Sequence, residues 1–200
     1  MTVHPLVLAA SRGDLPEWSR LGGKRRAHVA RVATLLEDWA RKLELDDTER
    51  TRWLAAGWLH DSLKEAPDEE LRELLDGDLG GLPGPVLHGP AAAELLRREG
   101  VEDPGLLTAV AYHTLGHPDF DAAGIALYAA DFLEPGRPAK KRWRADLRSR
   151  MPKDRKRVTR TILEARIKYL LEEGRPVRPE TIAFWNRVAE GDPWARASEV

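Results

Sequence analysis

The chain has 200 residues, 42% of them hydrophobic, enough for one domain with a real core or one domain plus a short appendage. Lys and Arg number 32 against 33 Asp and Glu, and a net charge of -1 gives no argument for nucleic acid, a membrane surface or any strongly charged partner. There is no cysteine, which excludes disulfides, zinc ribbons and thiol catalysis and leaves any metal to nitrogen and oxygen ligands.

Residues 1–20 read as a lead-in. Their apolar stretch at 5–10 is shorter than a secretory h-region and has no basic segment before it. Nowhere do about 18 apolar residues run together, so no membrane span is expected and a cytoplasmic protein is the default. Over 25–43, Val29, Val32, Leu35, Leu36 and Trp39 recur at helical spacing, with Arg31, Glu37, Asp38, Arg41 and Lys42 opposite them. Asp46, Asp47 and Thr48 are N-cap candidates for a second helix carrying Trp53, Leu54, Ala56, Leu59 and His60, and Pro67 lies beyond its end. A short helix over 68–75 follows, then a Gly- and Pro-rich loop over 77–85 and a helix over 88–99. Asp103 and Pro104 suit the N-cap and first position of a helix running toward His113.

The run 122–133 is apolar on most faces, as in a buried helix, and Pro135 with Gly136 ends it. The next segment, 137–160, carries twelve basic residues against Asp146 and Asp154, and reads as a solvated pair of basic helices. Trp143 among Lys141, Arg142 and Arg144 is its one feature suited to stacking on a base. A last amphipathic helix with Ile162, Ile167, Leu170 and Leu171 ends near Gly174. Pro176 and Pro179 then set off a short segment containing Trp185. Strand patterns are missing, so the expectation is a single all-α domain over 21–190 with a frayed tail over 191–200.

Four of the six histidines, His28, His60, His88 and His113, stand on apolar helical segments or their ends. One such histidine is ordinarily a hydrogen-bonded core residue. Four of them, with the carboxylates of Asp61 in "WLHD" and Asp131 in "YAAD" also set in apolar runs, would be costly to bury without compensation. Two divalent cations supply it, because neutral imidazole and ionised carboxylate are the ligands such metals accept. His60 and Asp61 are neighbours about 100° apart on a helix. They reach the same ions if the helix ends there or if Asp61 bridges two metals, with His28, His60 and Asp131 at one and His88 and His113 at the other. His117 beside Pro118 reads as a loop residue, His4 has no assigned role, and the glycines of "HGP" and "LGH" read as turn residues.

The order His28, His60-Asp61, Asp131 resembles the HD superfamily, and His88 and His113 make it the dinuclear version. The blocks "RRAHVARVA", "WLHDSLKEAPDEEL", "VLHGPAAAELL", "AYHTLGHPDF", "ALYAADFLEPGR" and "IKYLLEEGRPVRPETI" resemble YqeK-type HD proteins over roughly 15–186. The resemblance implies a single helical HD-domain bundle, commonly found with iron (manganese or cobalt are alternatives), that hydrolyses diadenosine tetraphosphate symmetrically into two ADP. It implies metal ligation by His28, His60, Asp61, His88, His113 and Asp131, with Asp61 and Lys64 as catalytic residues. Nucleotide or polyphosphate contacts are implied near Arg25, Lys64, Thr114 and Arg137. Ser62 and Leu63 stand where the pattern has an aromatic and a small residue, a change expected to be felt in the nucleotide pocket. The partner implied is a small-molecule nucleotide, with no membrane. A homodimer is compatible, and nucleic acid through 137–160 is the weaker reading. The alternatives are another HD-type nucleotidase or phosphodiesterase, or a non-catalytic nucleotide- or RNA-binding module.

Overall fold

In the computed structural model, which describes residues 3–75, 77–191 and Trp194, the regular elements among the described residues are ten α-helices and one 3-10 segment. The all-α expectation holds. The segment read only as a lead-in contains helix α1 (Pro5–Ser11), which buries Val7 and Ala10 against α3 and is capped by His4, whose Nδ1 accepts the Leu6 N–H at 3.3 Å. The short apolar run thus forms a helix of the core.

Helix α2 (Gly23–Lys42) buries the face carrying His28, Val29, Val32, Leu36 and Trp39, as its periodicity requires. Helix α3 (Asp47–Leu59) starts where Asp46 Oδ1 accepts the Glu49 N–H at 2.9 Å, and it buries Trp53, Ala55, Ala56 and Leu59. Removing a side chain of the size of Leu59 from water contributes on the order of 1.5–3 kcal/mol. α3 ends at Leu59, so the His60-Asp61 pair sits where the backbone leaves the helix and turns.

After α4 (Asp68–Glu73), the Gly- and Pro-rich stretch read as a loop forms a 3-10 segment (Gly77–Gly81) and the first turn of α5 (Gly84–Arg98). Proline is tolerated in a first turn because the missing N–H has no helical partner there, so Pro85 starts this helix earlier than expected. Gly89 of "HGP" is not a turn residue. It lies inside α5 against α6 (Pro104–Tyr112), where a Cβ would come 2.6 Å from the Ala111 carbonyl oxygen. Gly116 of "LGH" has φ +81° and is the turn residue expected.

Helix α7 (Ala122–Leu133) is buried along nearly its whole length and carries Asp131 near its end. Its N-cap Asp121 and the N-cap Asp103 of α6 both accept hydrogen bonds from Arg52 of α3, the latter at 2.5 and 2.9 Å. One buried guanidinium thereby ties the helix bearing His60 to those leading to His113 and Asp131. Helices α8 (Lys141–Arg150), α9 (Arg155–Glu172) and α10 (Pro179–Glu190) close the bundle.

The tail expected to fray is anchored at Trp194, which packs beside Trp53 at 6.2 Å between ring centroids and donates Nε1–H to Thr159 Oγ1 at 3.1 Å. The other tail residues after Gly191 lie outside the described ones. Among the described residues no helix is long and apolar enough to cross a membrane.

Candidate metal centre

The four histidines predicted as ligands come from four places, α2 (His28), the ends of α3 (His60) and α6 (His113), and α5 (His88), and all four are buried. Three of them are oriented the same way. His60 Nδ1–H donates to the Gly57 carbonyl at 2.8 Å, His113 Nδ1–H to the Val110 carbonyl at 2.9 Å, and His28 Nδ1–H to Glu134 Oε1 at 3.2 Å. A proton held on Nδ1 leaves the lone pair on Nε2. Those Nε2 atoms converge: His28 Nε2 is 3.2 Å from Asp131 Oδ1, and His88 Nε2 is 3.1 Å from His113 Nε2. Neither His28 Nε2 nor His60 Nε2 has a hydrogen-bond partner. Buried lone pairs facing carboxylate oxygens repel unless a cation lies between them, so the donor set fits divalent metal.

Asp61 lies at the centre of this group. Its Oδ2 is 3.6 Å from His28 Nε2 and 3.7 Å from His60 Nε2, while Oδ1 is 3.0 Å from His88 Nε2 and 3.4 Å from His113 Nε2. His28, His60 and Asp131 offer ligand atoms within 4.8 Å of one another, as do His60, Asp61 and His113, so His60 belongs to both groups. Burial pushes His60 and His88 down to about 4, which keeps both imidazoles neutral at pH 7. Burial would raise Asp61 and Asp131, but it is outweighed. His60, His113 and His88 hold Asp61 well below the ordinary carboxylate range, and His28 and Arg137 do the same for Asp131.

Arg25, Lys64, Thr114 and Arg137, singled out for phosphate contacts, line one cavity of about 530 Å³ with Asp61, His113 and Asp131. Arg25 Nη1 donates to Asp61 Oδ2 at 2.7 Å, and Arg137 Nε donates to the Asp131 carbonyl at 3.1 Å with its Nη2 on Asp131 Oδ1. Lys64 Nζ donates to the Pro85 carbonyl at 2.8 Å and lies 3.3 Å from His88 Nδ1, while Thr114 Oγ1 is 3.0 Å from His113 Nε2. Ser62 and Leu63 are buried and do not line this cavity, and the Ser62 hydroxyl has no hydrogen-bond partner. His117 is a loop residue, as expected, its Nδ1 accepting the Asp119 N–H at 3.2 Å.

Sequence reasoning missed three residues. Glu134, only 2% exposed, orients His28 through Oε1 and accepts from Arg31 Nε at 2.5 Å and the Gly136 N–H at 2.7 Å through Oε2. Arg31, assigned to the polar face of α2, therefore serves the site. Arg166 of α9 donates to Asp131 Oδ2 at 3.3 Å and to the Thr114 carbonyl at 2.9 Å, and stands 4.5 Å over the Tyr128 ring. The basic segment is only partly solvated: Lys140, Lys141 and Arg142 are exposed, but Trp143 and Arg144 are half-buried and line the cavity together with Lys140, Arg144 donating to the Phe132 carbonyl. Glu134 lies one helical turn after Asp131, the only local signal that could have marked it.

Residues 25–170 match the HD domain family. The chain is 28% identical over 146 residues to the symmetrical bis(5'-nucleosyl)-tetraphosphatase of Bacillus subtilis, covering 68% of this chain and 75% of that protein. It is 32% identical over 124 residues to the protein of the same name from Staphylococcus aureus, covering 59% of this chain and 62% of that one. A solved structure from Clostridium acetobutylicum, described as a predicted HD superfamily hydrolase involved in NAD metabolism, superposes with a TM-score of 0.75 at 26% identity, covering 95% of this chain and 98% of that one. With its family model matched over 25–170, most of the chain's length, the chain belongs to the HD domain family.

Proposed function

We propose that this protein is a dinuclear-metal phosphohydrolase that cleaves diadenosine tetraphosphate symmetrically into two ADP. The observation that carries the reading is the Asp61 carboxylate, whose oxygens face two different histidine groups. Such a carboxylate suits a bridge. His28, His60 and Asp131 would hold one ion, and His88 and His113 the other. The all-nitrogen-and-oxygen donor set suits iron, with manganese or cobalt as substitutes. Bound there, two divalent ions supply a water acidic enough to attack phosphorus near pH 7 and counter the charge growing on the phosphate oxygens.

The chain's own residues do the rest. Arg25, Arg137 and Arg166 each turn part of a guanidinium toward a site carboxylate and keep further N–H donors for a phosphate oxygen. Lys64, beside His88, can donate to the leaving phosphate, and Thr114 adds a hydroxyl donor. Held at its flanks by these cations, a polyphosphate would present its middle bond, between the second and third phosphates, to the histidine and aspartate cluster. The similarity to relatives named as symmetrical tetraphosphatases supports this substrate.

The test is product analysis on the metal-loaded protein in water labelled with heavy oxygen. Two ADP are expected, one carrying the label per event. AMP and ATP as main products, or no turnover with iron, manganese or cobalt under reducing conditions, would remove the substrate assignment.

A further inference from the structure

The cavity is chemically graded. Its inner wall carries Asp61, His113 and Asp131, and cations follow in Lys64, Arg137, Arg144 and Arg166. The remaining wall comes from the loop before α8 and from α8 and α9: Ala139, Lys140, Trp143, Ala165 and Tyr169. Its volume of about 530 Å³ falls within the roughly 300–1,000 Å³ of sites that take whole small molecules, well beyond what a phosphate group alone fills. Ala139 and Ala165 add little bulk to this wall.

Trp143 is held in place rather than loose. Its ring meets Phe132 edge-on at 5.8 Å with an interplanar angle of 82°, and Lys140 Nζ stands 5.6 Å from its centroid. Phe132 already has Arg144 at 4.0 Å and Arg166 at 5.3 Å from its ring. Phe132 is thus covered by two guanidinium groups, whereas the one cation near Trp143 is the exposed Lys140 at 5.6 Å, and Tyr169 is 51% exposed, so these two rings are the aromatic surfaces on the outer side.

From this order, carboxylates and imidazoles, then cations, then aromatics, we infer that Trp143, together with Tyr169, forms a stacking subsite for the base of one nucleoside, whose phosphates run inward past Arg144 and Arg166 to the metal centre. The inference rests on the nucleotide reading above and adds to it the element that recognises the nucleoside. Stacking on an aromatic ring beside basic side chains is worth the most for a base whose phosphates the same cations hold. The segment that reads from sequence as a solvated basic stretch thereby becomes one wall of the substrate site.

The test compares two probes on the metal-loaded protein: ADP, which has a base, and inorganic tripolyphosphate, which does not. Trp143→Ala should weaken ADP about tenfold, the scale of one lost base–aromatic stack, and leave tripolyphosphate binding unchanged. For diadenosine tetraphosphate, KM should rise with kcat nearly constant. Trp143→Phe should restore most of the ADP affinity, which a purely structural role for the indole does not predict. Tyr169→Ala, at a half-exposed position, should fold normally and lose affinity for ADP alone. ADP affinity unchanged in Trp143→Ala, or ADP and tripolyphosphate weakened together, would overturn the subsite. In either case the proposed hydrolysis stands if the wild type still makes two ADP. A wild type that neither binds ADP nor turns over the tetraphosphate would sink both readings. A short single-stranded RNA that binds the wild type more tightly than ADP and displaces it would make this wall a strand-binding surface and also refute the subsite.

Discussion

Replacing Glu134 by Gln separates holding a metal from holding the fold. In the carboxylate, Oε1 takes the His28 Nδ1–H, and Oε2 takes both the Arg31 Nε–H and the Gly136 N–H. An amide has one oxygen. If it keeps the two donors at the Oε2 position, the NH₂ faces His28 and drives the ring into the tautomer with its proton on Nε2, where a ligand lone pair is needed. If the oxygen turns to His28 instead, the NH₂ meets two N–H donors, so the first arrangement, which loses fewer bonds, prevails. Losing an orienting partner of this kind costs about 10–100-fold in metal affinity, which is roughly 1.4–2.7 kcal/mol. The metal-free fold loses little, because the amide still bonds all three neighbours, and its unfolding free energy should stay within about 1 kcal/mol of the wild type. The assay is titration with manganese or cobalt against a competing chelator, paired with denaturant unfolding of the metal-free protein. Metal affinity within twofold of the wild type would refute the tautomer argument, and a metal-free fold weakened as much as metal binding would make Glu134 merely structural.

Asp61→Ala should retain the fold while losing both metal retention and turnover, since it removes the one group shared by the two histidine sets; two metal equivalents with normal turnover would rule out the bridge. The metal-free protein should also lose stability in acid. His60 and His88 titrate at about 4 when folded and near 6.5 when unfolded, so the unfolded chain binds up to about two more protons in that window. Stability is then fully present above pH 6.5 and falls as the pH drops toward 4. Denaturant midpoints that stay flat across this range would show that the two imidazoles are not buried in neutral form.

The buried cluster of histidines and aspartates was legible because burying these residues in apolar helices conflicts with the hydrophobic pattern around them, and that conflict is local. His28, His60, Asp61, His88, His113 and Asp131 each stand out against their own few neighbours and meet in one place. Glu134, Arg31 and Arg166 do not stand out, because a charged residue on a half-exposed helix face is ordinary and only the packing of α9 and the α7 end against α2 gives these three their partners. Arg144 was read as solvated for the same reason: charge density in sequence carries no information on which side of a helix meets a cavity. Helix ends were clear where a side chain caps them, as at Asp46 and Asp103. They were unclear at α5, where two prolines and a glycine are compatible with both a loop and a first turn.

The contact at Gly89 has a consequence for the spacing of the histidine pair. A methyl group there would sit 2.6 Å from the Ala111 carbonyl oxygen and 2.8 Å from that of Val110, the same oxygen that orients His113 at 2.9 Å. His88 is its neighbour in the chain. The gap between the His88 and His113 imidazoles is therefore gauged by two backbones in direct touch and not by the rotamers of the histidines themselves. Any side chain at position 89 acts as a shim, pushing α6 off α5, opening that gap and tilting His113 in the same movement. A protein of this design can change the geometry of the His88–His113 pair without altering either histidine, by changing how closely two helices are allowed to approach.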